Sequence, residues 1–382
     1  MRTLHLLAVV AFAMTLFACR PLNGAMAEAE VQLVITAGGT YSGHWESHDS
    51  RTPVVSIQTS EPVIIENSVL RGRGHLIEMA GGHYGNVTIR NVRGEGIPPT
   101  VAGRFAGRFL FANTYSSVTI ENSTMSGTSG IYLQDSAVGA TVRIVGNRAL
   151  NIDGRRSNGA GGYSGVYFVQ FVQFNRGNQL VNSEVAWNEV VNAPYESRVE
   201  DVISLFATSG RPDDPVRIHN NLIWGAYPAD PARDTFSGGG IMLGDHGGAY
   251  LHAYQNHVIS TSNYGIAIAG GHDNAIYDNR VVSCGLLPDG TEIASQNVGI
   301  YIWNVEGDRS FAANVGSGNH IGWTHHGDGR NDSWVPDASS WDRNLALPPA
   351  GPVPCSAEQA EVALWTNKVV AAGRTVGLLD SR

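Results

Sequence analysis

Lysine is nearly absent from this chain. The 382 residues hold one, Lys368, beside 24 arginines. A lysine base is therefore confined to a single position close to the C-terminus. Charge is sparse as well. Asp, Glu, Lys and Arg make up 15% of residues, and the formal net charge is −9 at pH 7. A nucleic-acid partner calls for the opposite balance, so no nucleic-acid role is expected. No long amphipathic helical pattern separates the apolar stretches. That argues against α/β folds, whose parallel strands need helical crossovers. After the first apolar run no second one follows, so no integral membrane segment is expected. Disorder is excluded by a hydrophobic share of 42%.

What stands at the start reads as an export signal. Arg2 precedes an apolar run over 4–18, and Ala25-Met26-Ala27 fits a small-x-small cleavage site. Residues 1–27 are thus expected to be a signal peptide, and the mature chain to be periplasmic or secreted. A lipoprotein anchored through Cys19 is the competing reading. Of the three cysteines, Cys284 and Cys355 would remain. In an oxidising compartment they form one disulfide or stay as two buried thiols.

Internal repetition is the strongest feature. One short strand type runs into Asn: "VTIRN" at 87–91, "VTIEN" at 118–122, "VRIVGN" at 142–147, "VRIHNN" at 216–221 and "AIYDN" at 275–279. Looser copies surround Asn188 and Asn256. A second type is led by glycine: "GIYLQD", "GVYFVQ", "GIMLGD", "GIAIAG" and "GIYIWN", whose first apolar residues are Ile131, Val166, Ile241, Ile266 and Ile300. "EDVISLF" at 200–206, with Val202 as its first apolar residue, belongs to the same series. The two types alternate down the chain. An Asn at a fixed corner can hydrogen-bond the next Asn along a stack and tolerates a tight turn.

This pattern resembles the right-handed parallel β-helix proteins, the superfamily of pectate lyases, polygalacturonases and related polysaccharide enzymes. The resemblance covers about 31–321. It implies an all-β, single-domain right-handed parallel β-helix over 28–321 acting on a polysaccharide. Residues 322–382 are expected to form a C-terminal cap of loops and a short helix over the last open edges. Ser356 with Gln359 reads as a capping box at the start of that helix, and Gly373 as its end.

Loop lengths locate a groove. The connections that precede Val166, Ile241 and Ile300 are about twice as long as the one before Ile266, and loops raised on one side of a rigid stack commonly border a cleft. Alternation then sends Tyr132, Gln134, Tyr167, Tyr301 and Trp303 outward as a platform for sugar rings. Asp201 occupies the place that Gly130, Gly165, Gly240, Gly265 and Gly299 hold in the other copies. A lone carboxylate in a file of glycines reads as chemical, with Glu200 beside it to orient it or act itself. Asp245 and His246 in "GDHGG", His272 and Asp273 in "GGHDN", and Asp153, Arg155 and Arg156 in "NIDGRR" are further candidates.

Hydrolysis of a glycosidic bond by Asp201, Glu200, Asp245 and His246 is the leading expectation, since paired carboxylates perform that acid–base chemistry. The order "NID", "ED", "DHG" partly resembles the polygalacturonase motifs, although the three stand about two repeats apart where that family has one. No cofactor is firmly implied. The main alternative is a Ca²⁺-dependent lyase acting on a uronate polymer, with Glu200, Asp201 and Asp245 as oxygen ligands and Arg155, Arg156, Arg176 or Arg198 as base. A non-enzymatic glycan-binding or adhesion protein is the alternative from another class.

Overall fold

A computed structural model describes residues 32–79, 81–327 and 329–379. The expected signal peptide, Cys19 included, lies outside the described residues. Among these residues no helix is long and apolar enough to cross a membrane.

Short strands with an aliphatic residue at every second position bury one face and expose the other. Here they pair side by side in parallel. One sheet has 11 strands, from Leu33–Ile35 to Ser333–Trp334, and is called the front ladder. Ile131, Val172, Ile203, Ile241, Ile266 and Ile300 stand in register on successive strands of it. All six are fully buried. A second sheet of 20 strands holds two further series. One runs through Glu184–Ala186, Val216–His219, Leu251–Tyr254 and Ala275–Tyr277. The other runs through Glu189–Val191, Leu222–Ala226, His257–Thr261 and Arg280–Ser283. The chain visits the front ladder, then each of these series, then returns to the front ladder one rung further on. The architecture is all-β with long parallel sheets, compatible with a parallel β-solenoid, and one continuous apolar cluster fills the space between the ladders.

The asparagine corners divide two duties that the sequence assigns to one residue. Asn147, Asn188, Asn221, Asn256, Asn279, Asn319 and the half-buried Asn344 form a column, each Nδ2 donating to the next Oδ1 at 2.8–3.0 Å. The second amide proton goes to a backbone carbonyl, as from Asn221 to Val185 at 2.8 Å. Asn91 and Asn122 stand outside this column. They occupy left-handed backbone with φ of 53° and 46°, one position ahead of the corner, where asparagine is among the few residues that fit.

Two strand starts differ from the sequence reading. Val166 belongs to an antiparallel hairpin, Arg155–Ser157 against Tyr163–Val166, and is 38% exposed. The front strand of that rung is Val172–Asn175. The hairpin is an insertion whose "GVYF" imitates a glycine-led strand. In the next rung Ile203, not Val202, aligns with Ile241.

The segment expected as a cap continues the sheets before its helix. Strands Ser333–Trp334, Ser340–Asp342 and Leu345–Ala346 add one more rung. The helix Ser356–Ala371 then lies along the flank, with Trp365 and Val369 packed on Leu222 and Ile259. Its N-cap is Cys355 without a side-chain cap hydrogen bond, so the Ser356/Gln359 box does not form. Cys355 is instead disulfide-bonded to Cys284, and the Glu358 carboxylate accepts from the Cys284 amide at 2.8 Å. Gly373, with φ of 60°, follows the helix end. The remaining tail runs back along the stack: Gly377 N donates to the Gly146 carbonyl at 2.8 Å, and Leu379 N to Asn91 Oδ1 at 2.9 Å.

Candidate active site

A cleft of about 800 Å³ opens on the outer face of the front ladder. Its floor is laid by strands Asp201–Ser209, Gly239–Ala249, Tyr264–Ile268 and Val298–Ile302. Its walls are the hairpin's Phe168, the loop residue Phe236, and Trp303 and Trp334 from the last rungs.

Asp201 stands at the entrance of its strand, where the chain turns a corner and strict alternation fails. It pairs with Gly239, and Tyr264, which pairs with Val298 in the next rung, follows Gly239 in the same file. The glycines expected as counterparts, Gly240, Gly265 and Gly299, align instead with Val202, which is fully buried. They face the core corner: a Cβ on Gly265 would meet Val281 Cγ1 at 2.2 Å, and one on Gly299 would meet Ile321 Cγ2 at 2.6 Å. Gly165 lies in the inserted hairpin. Asp201 therefore replaces no glycine of that file. It faces the cleft because the file ahead of it turns outward.

Gly239 has its own reason. A Cβ there would lie 2.5 Å from Asp201 Oδ1 and 2.3 Å from Tyr264 Cζ. The bare Cα lets the Tyr264 hydroxyl reach across one rung and donate to Asp201 Oδ1. Burial raises the Asp201 carboxyl to about 8, helped by the charges of Glu200 and Asp245 and opposed by the Tyr264 hydrogen bond. Asp201 is thus protonated at neutral pH. The Tyr264 phenol is pushed well above its ordinary range by burial and by Asp201.

Glu200 also lines the cleft. Its Oε2 accepts from Arg198 Nη2 and Ser237 Oγ, both at 2.7 Å. Arg198 is buried behind it, donates to the Tyr167 carbonyl at 2.9 Å, and lies under the Phe168 ring. Asp245 reaches the floor through a bulge. Ser204 pairs with Met242 but Phe206 with Asp245, so one strand carries an extra residue, and Gly244 takes φ of 67° there. Burial raises the Asp245 carboxyl, with Glu306 and Glu200 adding to the effect and His246 opposing it. Tyr301 and Trp303 complete the expected residues that meet here.

The other candidates stand elsewhere. His246 is at the rim, stacked on Phe206 at 5.1 Å with its Nδ1 3.0 Å from Glu306. Tyr132 stacks on Phe111 with the Arg108 guanidinium 5.2 Å from its ring centre, and Gln134 donates to Asp135 at 3.1 Å. Tyr167 stacks on Phe105 at 4.3 Å beneath Arg156. Phe111 and Tyr132 are in register on neighbouring parallel strands and stack face to face. Asp153 is buried and binds Arg155 at the root of the hairpin. His272 pairs with Asp273 at 2.7 Å and borders a separate hollow with Arg211 and Tyr250.

Sequence reasoning missed Tyr264, Phe168, Phe236, Met242, Trp334 and His325. Tyr264 precedes its glycine and so fell outside the quoted strand. His325 and Trp334 fell in the segment read as a cap. The His325 Nδ1 donates to the Gln296 carbonyl at 2.7 Å, which assigns the tautomer. A wall of amides, Asn263, Asn297 and Asn331, is linked by hydrogen bonds of 2.6 Å. Among the described residues no three His, Cys, Asp or Glu side chains gather to hold a metal ion. Glu200, Asp201 and Asp245, considered as Ca²⁺ ligands, do not gather as such a group. Compared with family models, curated proteins and solved structures, the chain finds no match.

Proposed function

We propose that this chain is an exported glycoside hydrolase, built as a right-handed parallel β-helix, that cleaves a polysaccharide in the front-ladder cleft. The observation that carries this reading is the placement of two carboxyls, the buried Asp201 and Asp245, in one aromatic-walled cleft. Exposed rings at Phe168, Phe236, Trp303 and Trp334 suit the apolar faces of sugars. The Cys284–Cys355 bond suits an oxidising compartment.

In this mechanism Asp201 is the general acid. It gives its proton to the glycosidic oxygen as the bond to the anomeric carbon breaks. Asp245 takes a proton from the water that attacks that carbon. Burial raises the Asp245 carboxyl above the ordinary aspartate range, and a stronger base accepts a proton more readily. Tyr264 positions the Asp201 carboxyl, burial keeps it protonated, and the charge of Glu200, fixed by Arg198 and Ser237, adds to that.

The test is a polysaccharide panel followed for new reducing ends and for ultraviolet absorbance of new C=C bonds in the same reactions. Reducing ends without absorbance support hydrolysis. Absorbance would replace it with elimination, and silence in both channels would withdraw the enzyme reading in favour of a glycan-binding role.

A further inference from the structure

We propose that the cleft takes a chain of neutral sugars and turns away uronates and sulfated sugars. This rests on the hydrolase reading and names its substrate class. The cleft lining holds three carboxyls, Glu200, Asp201 and Asp245, and neither arginine nor lysine. A sugar carboxylate or sulfate would need a cationic donor to replace its hydration. The guanidinium behind the wall is Arg198, and it is already spent. It is buried under Phe168 with its donors on Glu200, Ser237 and the Tyr167 carbonyl. Beyond Asp245 stands Glu306, another carboxylate, paired with the rim imidazole of His246. The imidazole inside the lining, His325, donates its Nδ1 proton to a backbone carbonyl.

What remains to meet a ligand are amides and hydroxyls: Gln170, Asn263, Asn297, Asn331 and Tyr301. Such groups read sugar hydroxyls and carry no charge to balance an anion. The lone lysine is on the flank, its Nζ donating to the Gln255 carbonyl at 2.8 Å. A single-sign cleft disfavours a like-charged ligand through both desolvation and repulsion.

The experiment uses Asp201→Asn, which keeps the neutral state of that side chain and holds substrate without cutting it. Tryptophan emission is titrated with polygalacturonate, alginate and chondroitin sulfate, and with neutral galactan, mannan, xylan and β-glucan, at low and at high salt. Trp303→Phe and Trp334→Phe assign the signal to the cleft. The expected result is binding of a neutral chain, with every acidic chain at least about tenfold weaker at low salt and gaining affinity as salt screens the repulsion. An acidic chain that binds as tightly as the best neutral one, or whose affinity falls with salt, overturns the proposal. Turnover separates the two readings. Wild-type protein that releases reducing ends from an acidic chain sinks the neutral-substrate inference alone. No binding and no turnover with any chain sinks the hydrolase reading with it.

Discussion

The Tyr264 hydroxyl donates to Asp201 Oδ1 across an intervening rung, over the bare Cα of Gly239. Three consecutive strands therefore make one device: a buried carboxyl, a gap, and a phenol that fixes which way the carboxyl points.

Asp201→Asn is expected to lower kcat by about 10²- to 10⁴-fold, the usual worth of a general acid. It should also flatten the dependence of stability on pH. The folded Asp201 titrates at about 8 against 3.8 for an ordinary aspartate. Between those values the native state binds more protons, so its contribution is full below the lower value and is lost as pH rises through the upper one. The slope for one proton is at most about 1.4 kcal/mol per pH unit. Urea midpoints of both proteins, measured in parallel across that window, would show it. Equal slopes would contradict the assignment.

Tyr264→Phe removes a hydrogen bond that lowers the Asp201 titration point. The carboxyl then stays protonated to higher pH. The alkaline limb of the pH–rate profile should move upward while kcat drops about tenfold and KM changes little. A fall in kcat with an unmoved limb would leave Tyr264 a packing residue.

Gly239→Ala tests the gap itself. The new methyl carbon overlaps both Asp201 Oδ1 and the Tyr264 ring, and overpacking of this kind costs about 1–3 kcal/mol. Activity should fall at least as far as in Tyr264→Phe, with the same displacement of the alkaline limb. An active, unshifted Gly239→Ala would show that the phenol–carboxyl contact is dispensable.

Asn221→Ala strips side-chain partners from buried backbone groups of the preceding rung, the Asn188 amide and the Val185 carbonyl. Each such group costs about 1–3 kcal/mol, so a loss of about 2–5 kcal/mol is expected from chemical denaturation. Activity at low temperature should persist, since the column lies on another series from the cleft.

The parallel, all-β architecture is readable in the sequence because its cause is local: aliphatic residues at every second position and asparagine at recurring corners. The register is not. "GVYF" carries the letters of a front strand but sits in an inserted hairpin, and only the pairing of Ile131 with Val172 reveals it. Asp201 draws attention by seeming to replace a glycine, yet Val202 aligns with that file. The difference arises at a corner, where two successive residues turn inward and an alternation rule loses count. Tyr264 and Gly239 were invisible for the same reason. Their relation is between rungs, and the residues between the rungs vary in number.

The tail that runs back along the flank has a consequence for how the molecule comes apart. In a stack where each rung touches only its neighbours, fraying proceeds from the ends. Here Trp365 Nε1 donates to the Asn220 carbonyl, Asn122 Nδ2 donates to the Thr375 carbonyl, and Leu379 N reaches Asn91. Rungs far apart in the stack are thereby laced together by the segment from Trp365 to Leu379. Unzipping from the N-terminal side must first strip that lace, so the array should melt as one cooperative unit, and a chain cut short before Trp365 should unravel rung by rung.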